Sequence, residues 1–92
     1  MEFIREEGRI YAENKDGTVL AEVIFPAISD SAVSINRTFV DNSLKGQGVA
    51  GKLVDEVIGY AKAHGKKIKP VCSFAAGWFE KHPEYTEYLF TD

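Results

Sequence analysis

A single cysteine, Cys72, leaves no partner for an intramolecular disulfide and suits a reducing, cytoplasmic setting. No apolar run is long enough to cross a bilayer, and the first residues lack the pattern of a secretory signal, so no membrane partner is expected. Positive charge is not in excess. Eleven Lys and Arg stand against fourteen Asp and Glu, a net charge of −3, so there is no electrostatic footprint for nucleic acid. Basic residues cluster only at Lys62, Lys66, Lys67 and Lys69, which reads as a solvated helix end and turn. Internal repeats, low-complexity stretches and linkers are also missing. What remains, 92 residues with 45% hydrophobic content, fits one small domain over 1–92 with room for one core.

The informative stretch is Lys45-Gly46-Gln47-Gly48-Val49-Ala50-Gly51-Lys52. Gly46, Gly48 and Gly51 impose no Cβ, so backbone amides can approach an anion closely. A helical pattern follows directly, which puts the loop where unpaired amides and a positive dipole end receive phosphate. From Gly46 the segment reads Gly-x-Gly-x-x-Gly, but a dinucleotide unit needs an acid about 20 residues on. That region, Lys66-Lys67-Ile68-Lys69-Pro70-Val71, contains none. The same stretch nearly matches a P-loop, yet Leu53 stands where a magnesium-binding Ser or Thr is required. Neither nucleotide motif is complete. A general phosphate-binding scaffold stays open at this level.

Along the chain, Phe3 to Glu13 contains two apolar stretches around Glu7-Gly8, which predicts a hairpin. Asn14-Lys15-Asp16-Gly17 is a turn signal. Val19, Ala21, Val23 and Phe25 then alternate with Leu20, Glu22 and Ile24 as far as Pro26. After a turn at Ser29-Asp30-Ser31, Val33, Ile35 and Phe39 are expected to line one face of a fourth strand, interrupted by Arg37. Val49, Ala50, Leu53, Val54, Val57, Ile58 and Ala61 recur at helical spacing, and His64-Gly65 closes that helix. Lys67 to Val71 reads as a fifth strand, Ser73 to His82 as a helix stopped by Pro83, and Glu84 to Phe90 as one more turn. The order ββββαβα predicts an α+β domain: a mainly antiparallel sheet covered by a central helix after the fourth strand.

Lys45-x-x-Gly48-x-Ala50 resembles the Arg/Gln-x-x-Gly-x-Gly/Ala signature of GNAT-type N-acetyltransferases, with Lys45 keeping the charge but losing the planar fork. The element order matches that fold as well. Thr38-Phe39-Val40-Asp41, the glycine loop, Lys69-Pro70-Val71-Cys72-Ser73-Phe74-Ala75 and His82-Pro83-Glu84-Tyr85 are similar to the smallest, YjdJ-type members. The resemblance implies binding of acetyl-CoA (coenzyme A as acyl carrier) and transfer of its acetyl group to an amine, with no metal. It implies that Gln47, Gly48, Val49 and Ala50 supply amides to the pyrophosphate. Gly46 and Gly51 belong to the same loop, and Lys45 and Lys52 add charge. It also implies that Thr38, Phe39 and Val40 hold the pantetheine arm in a gap between the fourth and fifth strands. Cys72, Ser73 and Phe74 would complete the cofactor set. The lysines near Lys66 are compatible with a local attraction for the 3′-phosphate. Arg37 departs from the expected His, and arginine does not titrate.

Cys72, at a strand-to-helix junction, could protonate the leaving thiolate, accept the acetyl group, line the site or merely pack. Tyr85 is a candidate acid, with packing against Trp78 or Phe79 as the alternative. Glu80 and Glu22 are candidate bases. The chain has no room for the helices that build an acceptor pocket in larger relatives. A shallow acceptor side is therefore expected, suiting a protein lysine, an N-terminus or a small amine. The rival reading is a non-catalytic acetyl-CoA-binding or carrier module.

Overall fold

Asn14 sets the first long turn: its side-chain oxygen accepts from the amides of Asp16 and Thr18 at 2.9 and 3.0 Å, and Gly17 follows at φ +82°. In the computed structural model, which describes residues 1–91, this turn joins β2 (Arg9–Glu13) to β3 (Val19–Ile24). β1 (Ile4–Glu6) folds back on β2 across Gly8, which has φ +73°. The period-two pattern of β3 has its predicted consequence: Ala21 and Val23 are fully buried, while Glu22 stays on the opposite face.

Two further elements depart from the sequence expectation. β4 (Ala27–Ser29) is an additional strand of three exposed residues directly after Pro26, too short and too open to leave a pattern. The fourth expected strand is divided at Asn36 into β5 (Ala32–Ile35) and β6 (Arg37–Val40), which belong to different sheets. Arg37 therefore does not interrupt a common face. Val33 and Ile35 are enclosed in one sheet, whereas Phe39 pairs with Glu22 on the outer face of the other.

The first sheet runs β1-β2-β3-β6 and is antiparallel throughout. The second runs β4-β5-β7, with β7 (Lys67–Pro70) parallel to β5. Between them lies α1 (Val49–His64), whose Leu53, Val54, Val57, Ile58 and Ala61 are buried against Ile10, Val23, Phe25, Ile35 and Ile68. Gly65 ends the helix at φ +65°, donating its amide to the Ala61 carbonyl. α2 (Ser73–Lys81) follows β7 and adds Ala75 and Phe79 to the same core. A 3-10 turn over Pro83–Tyr88 then returns the chain to β7, where the Phe90 amide donates to Ile68 O at 2.8 Å. Among the described residues no helix is long and apolar enough to cross a membrane.

Candidate functional site

The two sheets separate at one residue. β5 and β7 pair as far as Ile35 and Pro70, and the Ile35 carbonyl then accepts from both Val71 N–H and Cys72 N–H at 3.0 Å. The next amide, Asn36, turns away and donates to Ile24 O at 2.9 Å, committing β6 to β3. Past this fork β6 has β3 on one side and, among the described residues, no strand on the other. The Asp41 amide donates to Leu20 O, which sets the alternation of the ladder: Phe39 turns its backbone to β3, and Thr38 and Val40 turn theirs to the open edge. The Phe39 side chain lies on the outer face.

The glycine loop closes the far end of this cleft. A 3-10 turn over Asn42–Leu44 leads in, capped by Asp41. Gly46 and Gly48 have φ +82° and +72°, a left-handed backbone that aims the chain into α1. Gly48 is the N-cap and offers no side-chain acceptor. Among the described residues no group accepts from the amides of Val49, Ala50 or Gly51, so the first turn of α1 keeps its orphan donors. They open on a depression of about 290 Å³ lined by Val40, Leu44, Lys45, the loop glycines and Phe74. Lys45 and Lys52 are exposed beside it.

Larger depressions of about 360 and 320 Å³ lie between the first hairpin and the C-terminal half of α1, over Phe25 and Tyr60. Arg5 donates to Glu56 at 2.7 Å beside one of them, and the Tyr60 ring is packed against His64. The smaller depression alone joins free amides to a free strand edge, and chemistry outweighs size here.

Gly51 differs from its neighbours in kind. A Cβ built there would meet Trp78 Nε1 at 3.3 Å and Cδ1 at 3.8 Å, whereas one at Gly46 or Gly48 meets nothing within 4 Å. Its small size admits an indole from α2. The sequence signal for this was Gly51 itself, since a third glycine inside a helix start has no conformational need.

Cys72 is the N-cap of α2, its sulfur accepting from the Ala75 amide at 3.4 Å. The half-buried thiol also lies 3.6 Å from Thr38 Oγ1, across the fork. Ser73 begins α2 in the open, and Phe74 is 42% exposed on the cavity wall. Tyr85 stacks on Trp78 with centroids 5.5 Å apart, so its ring packs behind α2. Glu22 is held by Arg9 Nε at 2.6 Å and Arg37 Nε at 3.6 Å, each on a different carboxylate oxygen. Glu80 is exposed on α2. Lys62, Lys66 and Lys67 of the lysine cluster sit at the other end of α1, about 24 Å from the loop for sixteen residues of helix. Two of its members are engaged, Lys66 with Asp30 O and Lys67 with Glu87 O, so it does not serve the loop.

Asp41 accepts from the Ser43 hydroxyl at 2.6 Å and the Ser43 amide at 3.0 Å, and these bonds, the hydroxyl's first, hold its pKa below the ordinary 3.8. A carboxylate with a depressed folded value contributes its stability above the unfolded value and loses it as pH falls through the lower folded one. Acidification below pH 3.8 should therefore loosen the turn that leads into the loop. Amide spectra of Ser43 and Leu44 followed over that range test this, and unmoved signals would refute it.

The sequence model of the GCN5-related N-acetyl-transferase family matches residues 9–89. No curated protein matches the chain. Among solved structures, a GCN5-like protein from Staphylococcus aureus is similar at 29% identity and a TM-score of 0.79, over 99% of this chain and 89% of its own. An acetyltransferase from Bacillus cereus is 28% identical, with a TM-score of 0.66 over 84% of this chain and 56% of that one. A GNAT family acetyltransferase from Elizabethkingia anophelis, solved with acetyl-CoA bound, shares the fold at 18% identity and a TM-score of 0.61. The match covers 84% of this chain and 51% of that protein, so the present chain spans about half the length of such relatives.

Proposed function

The chain belongs to the GCN5-related N-acetyl-transferase family, and on that premise we propose that it moves an acetyl group from acetyl-CoA to an amine. One observation carries the reading: the unpartnered amides of Val49, Ala50 and Gly51 open on the same cavity as the free edge of β6. In this reading the amides from Gln47 to Gly51 hold the diphosphate at the positive end of α1, and Lys45 and Lys52 add charge. The backbone groups of Thr38 and Val40 take the pantetheine arm as an added strand, and Cys72, Ser73 and Phe74 line its far end. The acetyl-CoA-bound relative with this fold supports the assignment. The lone free cysteine suits a reducing compartment, and we place the reaction in the cytoplasm, in one domain.

The amine nitrogen forms a bond to the thioester carbonyl carbon as the carbon–sulfur bond breaks. The amine releases a proton and the departing thiolate takes one. Cys72 at the fork, next to the Thr38 hydroxyl, is our candidate to supply that proton. Arg9 and Arg37 each face one carboxylate oxygen of Glu22, and Glu80 is exposed on α2, so in this reading the amine proton goes to water. The outer face of the first sheet, with Phe39 and Arg37, is open, which suits a protruding amine on a protein side chain or terminus, or a small amine.

A second reading, a carrier that binds acetyl-CoA without transferring it, is favoured by the engagement of Glu22. Incubation with labelled acetyl-CoA and a mixture of peptides and polyamines separates the two. Steady, acceptor-dependent release of coenzyme A thiol supports transfer, and stoichiometric binding without release supports the carrier. If the Cys72 thiol supplies the proton, Cys72→Ala should lower turnover about a hundredfold with little change in acetyl-CoA affinity. Undiminished turnover in that variant rules the role out.

A further inference from the structure

Trp78 stands outside every phosphate motif in the sequence, yet it is the side chain that occupies the space vacated at residue 51. Its Nε1 edge covers Gly51, in the first turn of α1, so that any side chain there would be within 3.3 Å. The ring is itself held in place. His82 stacks on it with centroids 3.9 Å apart and planes 15° from parallel, Tyr85 stacks at 5.5 Å, and Phe79 meets it edge-on at 5.3 Å. His82 is fixed in turn, Nδ1 donating to the Trp78 carbonyl at 2.7 Å. One turn earlier on α2, Phe74 lines the loop cavity. The α2 helix therefore reaches the loop at two points: Phe74 at the cavity wall and Trp78 behind the amides.

We propose that Trp78 is a positioning residue for the phosphate cradle: its indole edge, seated on Gly51, fixes the first turn of α1 and with it the amides of Val49, Ala50 and Gly51. The proposal rests on the cradle reading above and adds what holds the cradle still. A helix start is the part of a helix most prone to fraying, and this one lacks a side-chain cap. A rigid aromatic, pinned by two stacked neighbours, replaces that cap from outside. The aromatic run Trp78, His82 and Tyr85 then has a use beyond filling volume.

The test is a double-mutant cycle with ADP and coenzyme A as probes, read by calorimetry. Gly51→Ala pushes a methyl into the indole and should weaken both probes roughly tenfold. Trp78→Phe withdraws the Nε1 edge and should weaken both about threefold, the turn being less firmly held. In the double variant the methyl fills the space the indole left, and affinity should return to within about twofold of the original protein. Multiplicative losses, with no recovery in the double variant, would overturn the proposal. If the original protein bound neither probe, the cradle reading would be what fails. Amide hydrogen exchange at residues 49–51 then still decides the positioning claim, faster exchange in Trp78→Phe than in the original protein being required for it. A purely structural role for the indole would lower thermal stability in both single variants without the recovery of affinity.

Discussion

Gly48→Val should leave a folded protein that no longer binds acetyl-CoA. Gly48 caps α1 at φ +72° and ψ 19°, and a Cβ at this position meets nothing within 4 Å, so steric clash with neighbours is not the issue. The cost is in the backbone. A β-branched residue held in the left-handed region is strained by about 1–3 kcal/mol. The chain can relieve that strain only by rotating the peptide that leads into the first turn, which swings the amides of Val49, Ala50 and Gly51 off their common focus. Hydrogen bonds to a charged group contribute roughly 1.5–3 kcal/mol each, so losing one and weakening another should reduce affinity about a hundredfold or more. Gly17→Val is the matched control, with φ +82° and equally open surroundings, but in the turn between β2 and β3. Both variants should lose similar thermal stability, and only Gly48→Val should lose the ligand. Titration calorimetry giving equal affinities for the two variants would remove the cradle from the proposed function.

The largest loss of stability is expected from Ile35→Ala. Ile35 is fully buried, ends β5, and carries at its carbonyl both amides that pin β7 and the start of α2. Truncating such a side chain costs about 2–5 kcal/mol in lost transfer energy and residual cavity. For a domain of this size that corresponds to a fall in Tm of about 8 °C or more. Arg37→Ala lies two residues further on, is exposed, and should change stability by no more than about 0.5 kcal/mol. Scanning calorimetry on the pair gives the contrast. A small loss at Ile35 would mean that the fork is not part of the folded core.

Much of this was legible in the residues because local chemistry and tertiary role coincide. Asn14 to Gly17 form the turn their types require, Ala21, Val23 and Phe25 bury every second side chain, and Gly65 ends α1 as a left-handed cap. The glycine loop and the helix behind it could be read for the same reason. The division at Asn36 could not. Val33, Ile35, Arg37 and Phe39 keep one period along the chain, and only pairing partners far away in sequence, Ile68 on one side and Glu22 on the other, separate them into two sheets. Gly51 signals a close approach, but what approaches it was equally hidden. Nothing near residue 51 announces an indole arriving from residue 78, since helix-to-helix contact leaves no periodic trace. Glu22 is a candidate base by residue type, and sequence does not show which arginines lie across the ladder.

The doubled acceptor at Ile35 has a bearing on how quickly a ligand can enter. One oxygen holding two successive amides forbids the parallel pairing of β5 and β7 from zipping onward into β6, so the gap is a property of the resting chain. In the proposed reading an incoming arm would find, among the described residues, no strand to pry loose from β6. Association should therefore be fast and nearly free of a rearrangement phase, and differences in affinity between variants should appear in how long the complex lasts.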